Sequence, residues 1–213
     1  MTGSPAAGSD DRSASAPSAD GAGAAPPELV RTFFAVPVEL SPPLLAQLQA
    51  VTGLGRAVRA VRPQAAHITL RFLGDTRTEL LPALGEALRE AASSCPPFRL
   101  RFEGIGAFPN AKRPSVLWVG VHDADPLQEI VARLEPLLAA LGFPAERLPF
   151  YPHLTLARIR NRPPQSVFDL LEQHSETSYG SMLAEQVVLY QSVLQPDGPR
   201  YTVLETVPFA PEA

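Results

Sequence analysis

The sequence predicts an α+β fold with pseudo-two-fold character, built from two antiparallel sheets that flank a central cleft, with helices outside. Three observations predict it. Amphipathic helices alternate with strand-like runs, and hairpins come late in each half of the chain, which argues against a doubly wound sheet. The halves echo each other as a strand, a helix and two further strands. Finally, one tetrad occurs twice: His67-Ile68-Thr69-Leu70 and His153-Leu154-Thr155-Leu156. Residues two apart share a face in a strand. Each tetrad therefore shows His and Thr on one face and sends two apolar residues into a core.

The elements follow in order. Residues 1–28 are Ala, Gly, Ser, Pro and Asp without periodicity. Such a stretch buries too little apolar surface to offset its ordering entropy. It is expected to be a disordered leader ahead of one bilobal domain, 29–213. It has neither the basic start nor the apolar run of a signal peptide. Arg31 to Val38 reads as a buried strand. Ser41 is an N-cap, with Pro42 and Pro43 in the first turn of a helix to about Thr52. Arg56, Arg59 and Arg62 follow, read as a solvated stripe or else a basic rim before the first tetrad.

His67 to Leu73 is the first motif strand, ended by Gly74-Asp75. In a regular strand Arg71 shares the face of His67 and Thr69. Thr78 to Ser94 is helical, with Leu80, Leu81, Leu84 and Leu88 on its apolar face. Phe98 to Phe108 and Ser115 to Val121 are strands around a loop with Lys112 and Arg113. Pro126 to Leu141 is a helix containing Pro136, a site for a kink, and Gly142 caps it. His153 to Ile159 is the second motif strand. There Arg158, five residues after His153, faces away unless the strand ends or bulges. Gln165 to His174 is a short helix. Ala184 to Leu194 and Tyr201 to Val207 form a hairpin through Pro196-Asp197-Gly198-Pro199.

Composition narrows the chemistry. Hydrophobic residues make up 45% of the 213, enough for a core. No run of about 18 apolar residues suggests a membrane span. The single cysteine, Cys95, excludes an intramolecular disulfide framework and fits a reducing cytoplasm. The net charge is −4, but the leader carries four carboxylates against Arg12. The remaining body is nearly neutral and rich in arginine, whose forked guanidinium matches phosphate oxygens. That balance suits a small phosphorylated ligand or an RNA end and not a long duplex.

The tetrads carry the mechanism. By composition alone one such tetrad is expected on the order of 0.04 times, so chance is a poor account of two. An imidazole gives or takes a proton near neutral pH, and a hydroxyl donates a hydrogen bond to an oxyanion. Two pairs around one phosphorus supply an acid, a base and two donors. His122 and His174 lack a Thr two residues on and are expected at the surface. No His-x-x-x-His pair or cysteine cluster suggests a metal. No Gly-x-Ser-x-Gly elbow suggests a serine hydrolase, and no P-loop suggests ATP. No cofactor is expected.

Five stretches resemble a known group: Arg31 to Pro37 (RTFFAVP), His67 to Gly74 (HITLRFLG), Phe108 to Val121 (FPNAKRPSVLWVGV), Pro152 to Arg158 (PHLTLAR) and Ser192 to Tyr201 (SVLQPDGPRY). Over about residues 30–208 the chain resembles the 2H phosphoesterase superfamily, and within it the bacterial RNA 2′,3′-cyclic phosphodiesterases, also called LigT, ThpR or 2′-5′ RNA ligases. The resemblance implies a bilobal body with a water-filled cleft. It implies metal-independent hydrolysis of RNA 2′,3′-cyclic phosphate ends to 2′-phosphates, with 2′-5′ ligation as the reverse. It further implies His67 as proton donor, His153 as proton acceptor, and Thr69 and Thr155 on the phosphate oxygens. Arg71 and Arg158 are candidate phosphate contacts. The expected partner is an RNA or oligonucleotide 3′ end, bound by a monomer in the cytoplasm. The alternative is a nucleotide- or RNA-binding module of the same fold without turnover. Two facing proton-transfer groups favour the enzyme, because binding alone does not need them.

Overall fold

The structure, a computed structural model, describes residues 28–195 and 198–210. The expected leader therefore lies outside the described residues except for Glu28, and so does the Pro196-Asp197 turn. The elements are β1 (Leu29–Pro37), α1 (Pro42–Thr52), β2 (Val58–Ala60), β3 (His67–Arg77), α2 (Leu81–Ala92), β4 (Phe98–Phe108), β5 (Val116–His122), α3 (Asp125–Ala140), β6 (His153–Ile159), α4 (Gln165–Gln173), β7 (Ser178–Ala184), β8 (Gln186–Gln195) and β9 (Gly198–Pro208). One sheet has the order β3-β1-β8-β9 and the other β2-β6-β5-β4-β7. Every neighbouring pair is antiparallel.

Each sheet holds one motif strand, β3 in the first and β6 in the second. Helices α2 and α3 pack against each other and on the first sheet, and α1 and α4 on the second. The sheets do not divide the chain into halves. Strands β8 and β9 return from the C-terminal half to sit beside β1, while β2, β4 and β5 of the N-terminal half join β6. One buried core joins Phe34, Ile68, Phe102, Leu117, Leu154 and Leu189 of the two sheets with Leu44, Leu84 and Leu134 of the helices. This is the α+β body that the sequence predicts.

Local chemistry accounts for most boundaries. Ser41 caps α1, its hydroxyl accepting the Leu44 N–H and donating to the Tyr179 carbonyl. Helix α3 runs through Pro136 and ends where Gly142 takes φ +88°. The Phe143 N–H then reaches back to the Leu138 carbonyl, a Schellman closure that satisfies a terminal carbonyl. Three expectations need correction. Strand β3 does not stop at Gly74-Asp75. Gly74, at φ +73°, pairs with Thr32 while Phe72 pairs with Phe33, so Leu73 is an extra residue and the strand runs on to Arg77. Strands β2 and β7 are additional, each an edge strand of the five-stranded sheet.

Candidate active site

Both motif strands bulge at the same place. In β3, Thr69 pairs with Ala35 and Arg71 with Phe34, leaving Leu70 as the extra residue. In β6, Thr155 pairs with Trp118 and Ala157 with Leu117, leaving Leu156 extra. A bulge puts two successive side chains on one side and reverses the alternation after it. Leu70 and Arg71 are accordingly both buried, as are Leu156 and Ala157. The residue five after each histidine, Phe72 or Arg158, returns to the His-Thr face.

The two faces enclose a cleft of about 690 Å³ lined by His67, Thr69, His153 and Thr155 together with Phe72 and Arg158. Arg158 thus reaches the site by the bulge it needed. The same device sends Arg71 out, which corrects its placement as a phosphate contact. Arg71 is 6% exposed, pairs with Glu135 at 2.9 Å and with Glu146, and donates to the carbonyls of Phe72 and Pro144. It ties β3 to α3 and to the loop before the second motif.

Each imidazole is oriented in the same way. The Nδ1–H of His67 donates to the Ala65 carbonyl at 2.8 Å, and that of His153 to the Tyr151 carbonyl at 2.7 Å. A carbonyl can only accept, so Nδ1 carries the hydrogen and Nε2 is left for proton transfer. Aromatic rings hold both in place. Phe33 and Tyr201 lie 5.0 and 5.1 Å from His67, centre to centre, and Phe108 lies 4.9 Å from His153. Trp118 also packs near His153, on a backbone that only glycine permits. A Cβ on Gly106 would meet its indole at 2.2 Å.

The electrostatics favour an anion. Five arginines line the cleft, namely Arg31, Arg59, Arg62, Arg158 and Arg160, and no Asp or Glu stands among the lining residues described. Burial pushes the pKa of both histidines below the ordinary value of 6.5, opposed in each by the carbonyl bond. The Arg158 charge lowers both further, and His153 acts likewise on His67. Of the arginine stripe, Arg59 and Arg62 belong to the cleft wall and Arg56 does not. His122 is exposed, as expected. His174 is half-buried and contacts the Thr177 hydroxyl at 3.2 Å, more enclosed than the sequence suggested. Neither lines the cleft. Among the described residues no group of three His, Cys, Asp or Glu side chains could hold a metal, and no helix is long and apolar enough to cross a membrane.

Sequence reasoning missed the aromatic cages and Arg31 and Arg160. The signal for Phe33 was present: in β1 it alternates with Phe34, so one ring enters the core and the other faces the cleft. Arg160 follows two residues after Arg158, just past the end of β6, and lines the same cleft.

A family model described as the 2′-5′ RNA ligase superfamily matches residues 36–194. An RNA 2′,3′-cyclic phosphodiesterase of Archaeoglobus fulgidus is 38% identical over 177 residues, covering 81% of this chain and 96% of the relative. A protein of the same name from Aeropyrum pernix is 37% identical over 168 residues, covering 76% and 93%. Among solved structures, a Thermus thermophilus protein superposes with a TM-score of 0.70 at 32% identity, over 86% of this chain and all of that one. The E. coli LigT complex with 3′-AMP gives a TM-score of 0.64 at 26% identity, covering 86% and 99%.

Proposed function

This chain belongs to the 2′-5′ RNA ligase superfamily, and from that premise we propose that it hydrolyses 2′,3′-cyclic phosphodiester ends of RNA to 2′-phosphomonoesters. One observation carries the reading. Two His-Thr pairs, one from each sheet, meet on a cleft lined by five arginines and, among the described residues, by no carboxylate. Water attacks phosphorus and passes a proton to Nε2 of His153. The P–O3′ bond breaks, and the departing 3′-oxygen takes the proton from Nε2 of His67. Thr69 and Thr155 donate to the non-bridging oxygens, and Arg158 answers their charge. A 5′-hydroxyl in place of water gives a 2′-5′ linkage by the same steps. The substrate is an RNA or oligonucleotide 3′ end, and the enzyme works as a monomer in the cytoplasm.

The direct test is an oligonucleotide ending in a 2′,3′-cyclic phosphate, incubated with excess chelator. The expected product is the 2′-phosphate, at a rate the chelator does not change, because the described residues offer no metal-ligand cluster. Turnover lost to chelator and restored by a divalent ion contradicts the mechanism. Binding without turnover would instead support a binding module.

The histidine shifts set the pH dependence. The base His153 must be neutral, so activity rises as pH climbs through its lowered pKa. The acid His67 must be charged, so activity falls as pH passes through its own lowered value. For kcat/KM, which reports the free enzyme, both limbs of the bell therefore lie to the acid side of 6.5. In the kcat profile the bound anion stabilises charged imidazole, and the falling limb moves to higher pH. A kcat/KM maximum on the alkaline side of neutrality would contradict an acid–base pair made of two histidines that both titrate below 6.5.

A further inference from the structure

Three long stretches of the chain carry no carboxylate: 40–74, between Glu39 and Asp75; 104–122, between Glu103 and Asp123; and 147–168, between Glu146 and Asp169. They supply β2, β5 and β6, which lie side by side in the five-stranded sheet. The register brings their cationic residues to one end of it. Arg158 stands opposite Arg59 on one side and Val116 on the other. The Arg160 N–H donates to the Ala57 carbonyl, and the Ile159 N–H to the Ser115 carbonyl. Arg56 precedes β2, Lys112 and Arg113 precede β5, and Arg162 follows β6, all at this same end. Neighbouring strands lie about 4.8 Å apart, so the three span about 10 Å.

Arg56, Lys112, Arg113 and Arg162 are exposed and lie outside the catalytic cleft. Arg59, Arg158 and Arg160 line it, so the cations run on from the phosphate site over the end of the sheet. Four exposed arginines elsewhere are matched: Arg77 holds Glu79, Arg89 holds Glu86 and Glu205, Arg101 holds Glu103 and Asp123, and Arg133 holds Glu129. Among the described residues, Arg56, Lys112, Arg113 and Arg162 reach no carboxylate. Like charges gathered this closely repel, and those directly opposite on paired strands cost stability. In a body whose net charge is near zero, a patch of one sign is the electrostatic footprint of a polyanion.

We propose that this end of the five-stranded sheet is a track for the backbone phosphates of a single-stranded RNA whose 3′ end lies in the cleft. This rests on the hydrolase reading above for the position of the end, and adds where the rest of the strand runs. A polynucleotide has to leave through the cleft mouth, and the wall that carries Arg59 and Arg160 leads onto further cations. An acidic peptide meets the same charge, but the continuity with the phosphate site favours a strand that ends there. Phosphates position a strand and carry no sequence, so the track selects a long RNA over a mononucleotide without choosing among sequences.

The test on the full chain compares an RNA decamer ending in a 2′,3′-cyclic phosphate with 2′,3′-cyclic AMP, as kcat/KM against salt. Each phosphate contact to a single strand contributes a log–log slope of about −0.7, so about four contacts are expected to steepen the decamer's slope by about 3 relative to the mononucleotide's. The double variant Lys112→Ala with Arg113→Ala removes two contacts. It is expected to lose roughly 25-fold on the decamer at about 0.1 M salt, and about tenfold less than that on cyclic AMP. Arg56→Ala with Arg162→Ala is expected to behave alike. Arg77→Ala with Arg133→Ala removes the same charge away from the track and is expected to keep the wild-type slope. Equal slopes for the two substrates in wild type, or equal losses on both in the track variants, overturn the proposal. A decamer loss of the same size in the Arg77 and Arg133 variant overturns it too, because net charge alone would then account for the effect. Anisotropy of a labelled decamer with a terminal 2′-phosphate needs no turnover. If neither substrate is hydrolysed, the hydrolase reading falls, and the salt slopes of binding still decide whether the track exists. A poly-glutamate peptide that displaces the decamer as well as unlabelled RNA of equal charge overturns RNA as the occupant.

Discussion

His67→Ala and His153→Ala are each expected to cut turnover by about 10²–10⁴-fold. The two imidazoles share their anchoring: an Nδ1–H held by the carbonyl two residues before, and an aromatic ring against one face or edge. Neither can stand in for the other, because one must arrive charged and the other neutral. Removing both is then expected to be little worse than removing one, since acid and base act on the same step. Each single variant is also expected to lose one limb of the pH profile. The rings are half-buried and packed, so His67→Gln and His153→Gln belong in the series to keep side-chain bulk without the imidazole. Thr69→Ala and Thr155→Ala are expected to cost less, on the order of 10²–10³-fold, and to weaken binding too, because a hydroxyl already meets the ground-state phosphate. The decisive comparison is steady-state turnover beside a circular dichroism spectrum. A folded single His variant at near wild-type rate would remove that residue from the mechanism.

Two arginines on matching stretches of the motif strands are expected to fail in opposite ways. Arg71→Ala strips the partner from Glu135 and Glu146 and from two carbonyls. Breaking a buried ion pair from one side costs about 3–5 kcal/mol, and the lower end applies because both carboxylates keep some solvent. Melting temperature is expected to fall sharply. Arg158→Ala has no comparable packing to lose, since its side chain is exposed on the cleft wall. Its stability is expected within about 0.5 kcal/mol of wild type, and its turnover down by about 10²–10³-fold, as for loss of a group stabilising transition-state charge. If Arg71→Ala melts like wild type and loses only activity, the assignments are reversed.

The contrast between these arginines marks how far the sequence could be read. The His-Thr pairs, the apolar faces of α2, α3 and α4 and the β8–β9 hairpin rest on short-range periodicity, which a sequence displays. A bulge changes that periodicity by one residue without a glycine or proline to announce it. Leu70 and Leu156 look like ordinary core positions, and only the partner strands reveal them as extra. Strict alternation therefore put Arg71 on the catalytic face and Arg158 off it, each the reverse of its position. Gly74 did announce its bulge but resembled a strand end, because a positive-φ glycine serves either purpose. Strand β2 is three residues long and exists because Ala60, Arg59 and Val58 find Ala157, Arg158 and Ile159 opposite. No local pattern of that length could have shown it.

The return of β8 to the flank of β1 has a consequence for how the enzyme is made. A ribosome adds roughly 5–20 residues per second, so β1 emerges on the order of ten seconds before the strand that closes it. Until then its inner edge is bare, an invitation to pair with another nascent chain, and Phe33 has no Tyr190 or Tyr201 to pack on. A message cut short before β8 would yield His67 and His153 without the sheet that sets one against the other. Synthesis itself thus withholds activity: the cleft closes only once β8 and β9 have left the exit tunnel.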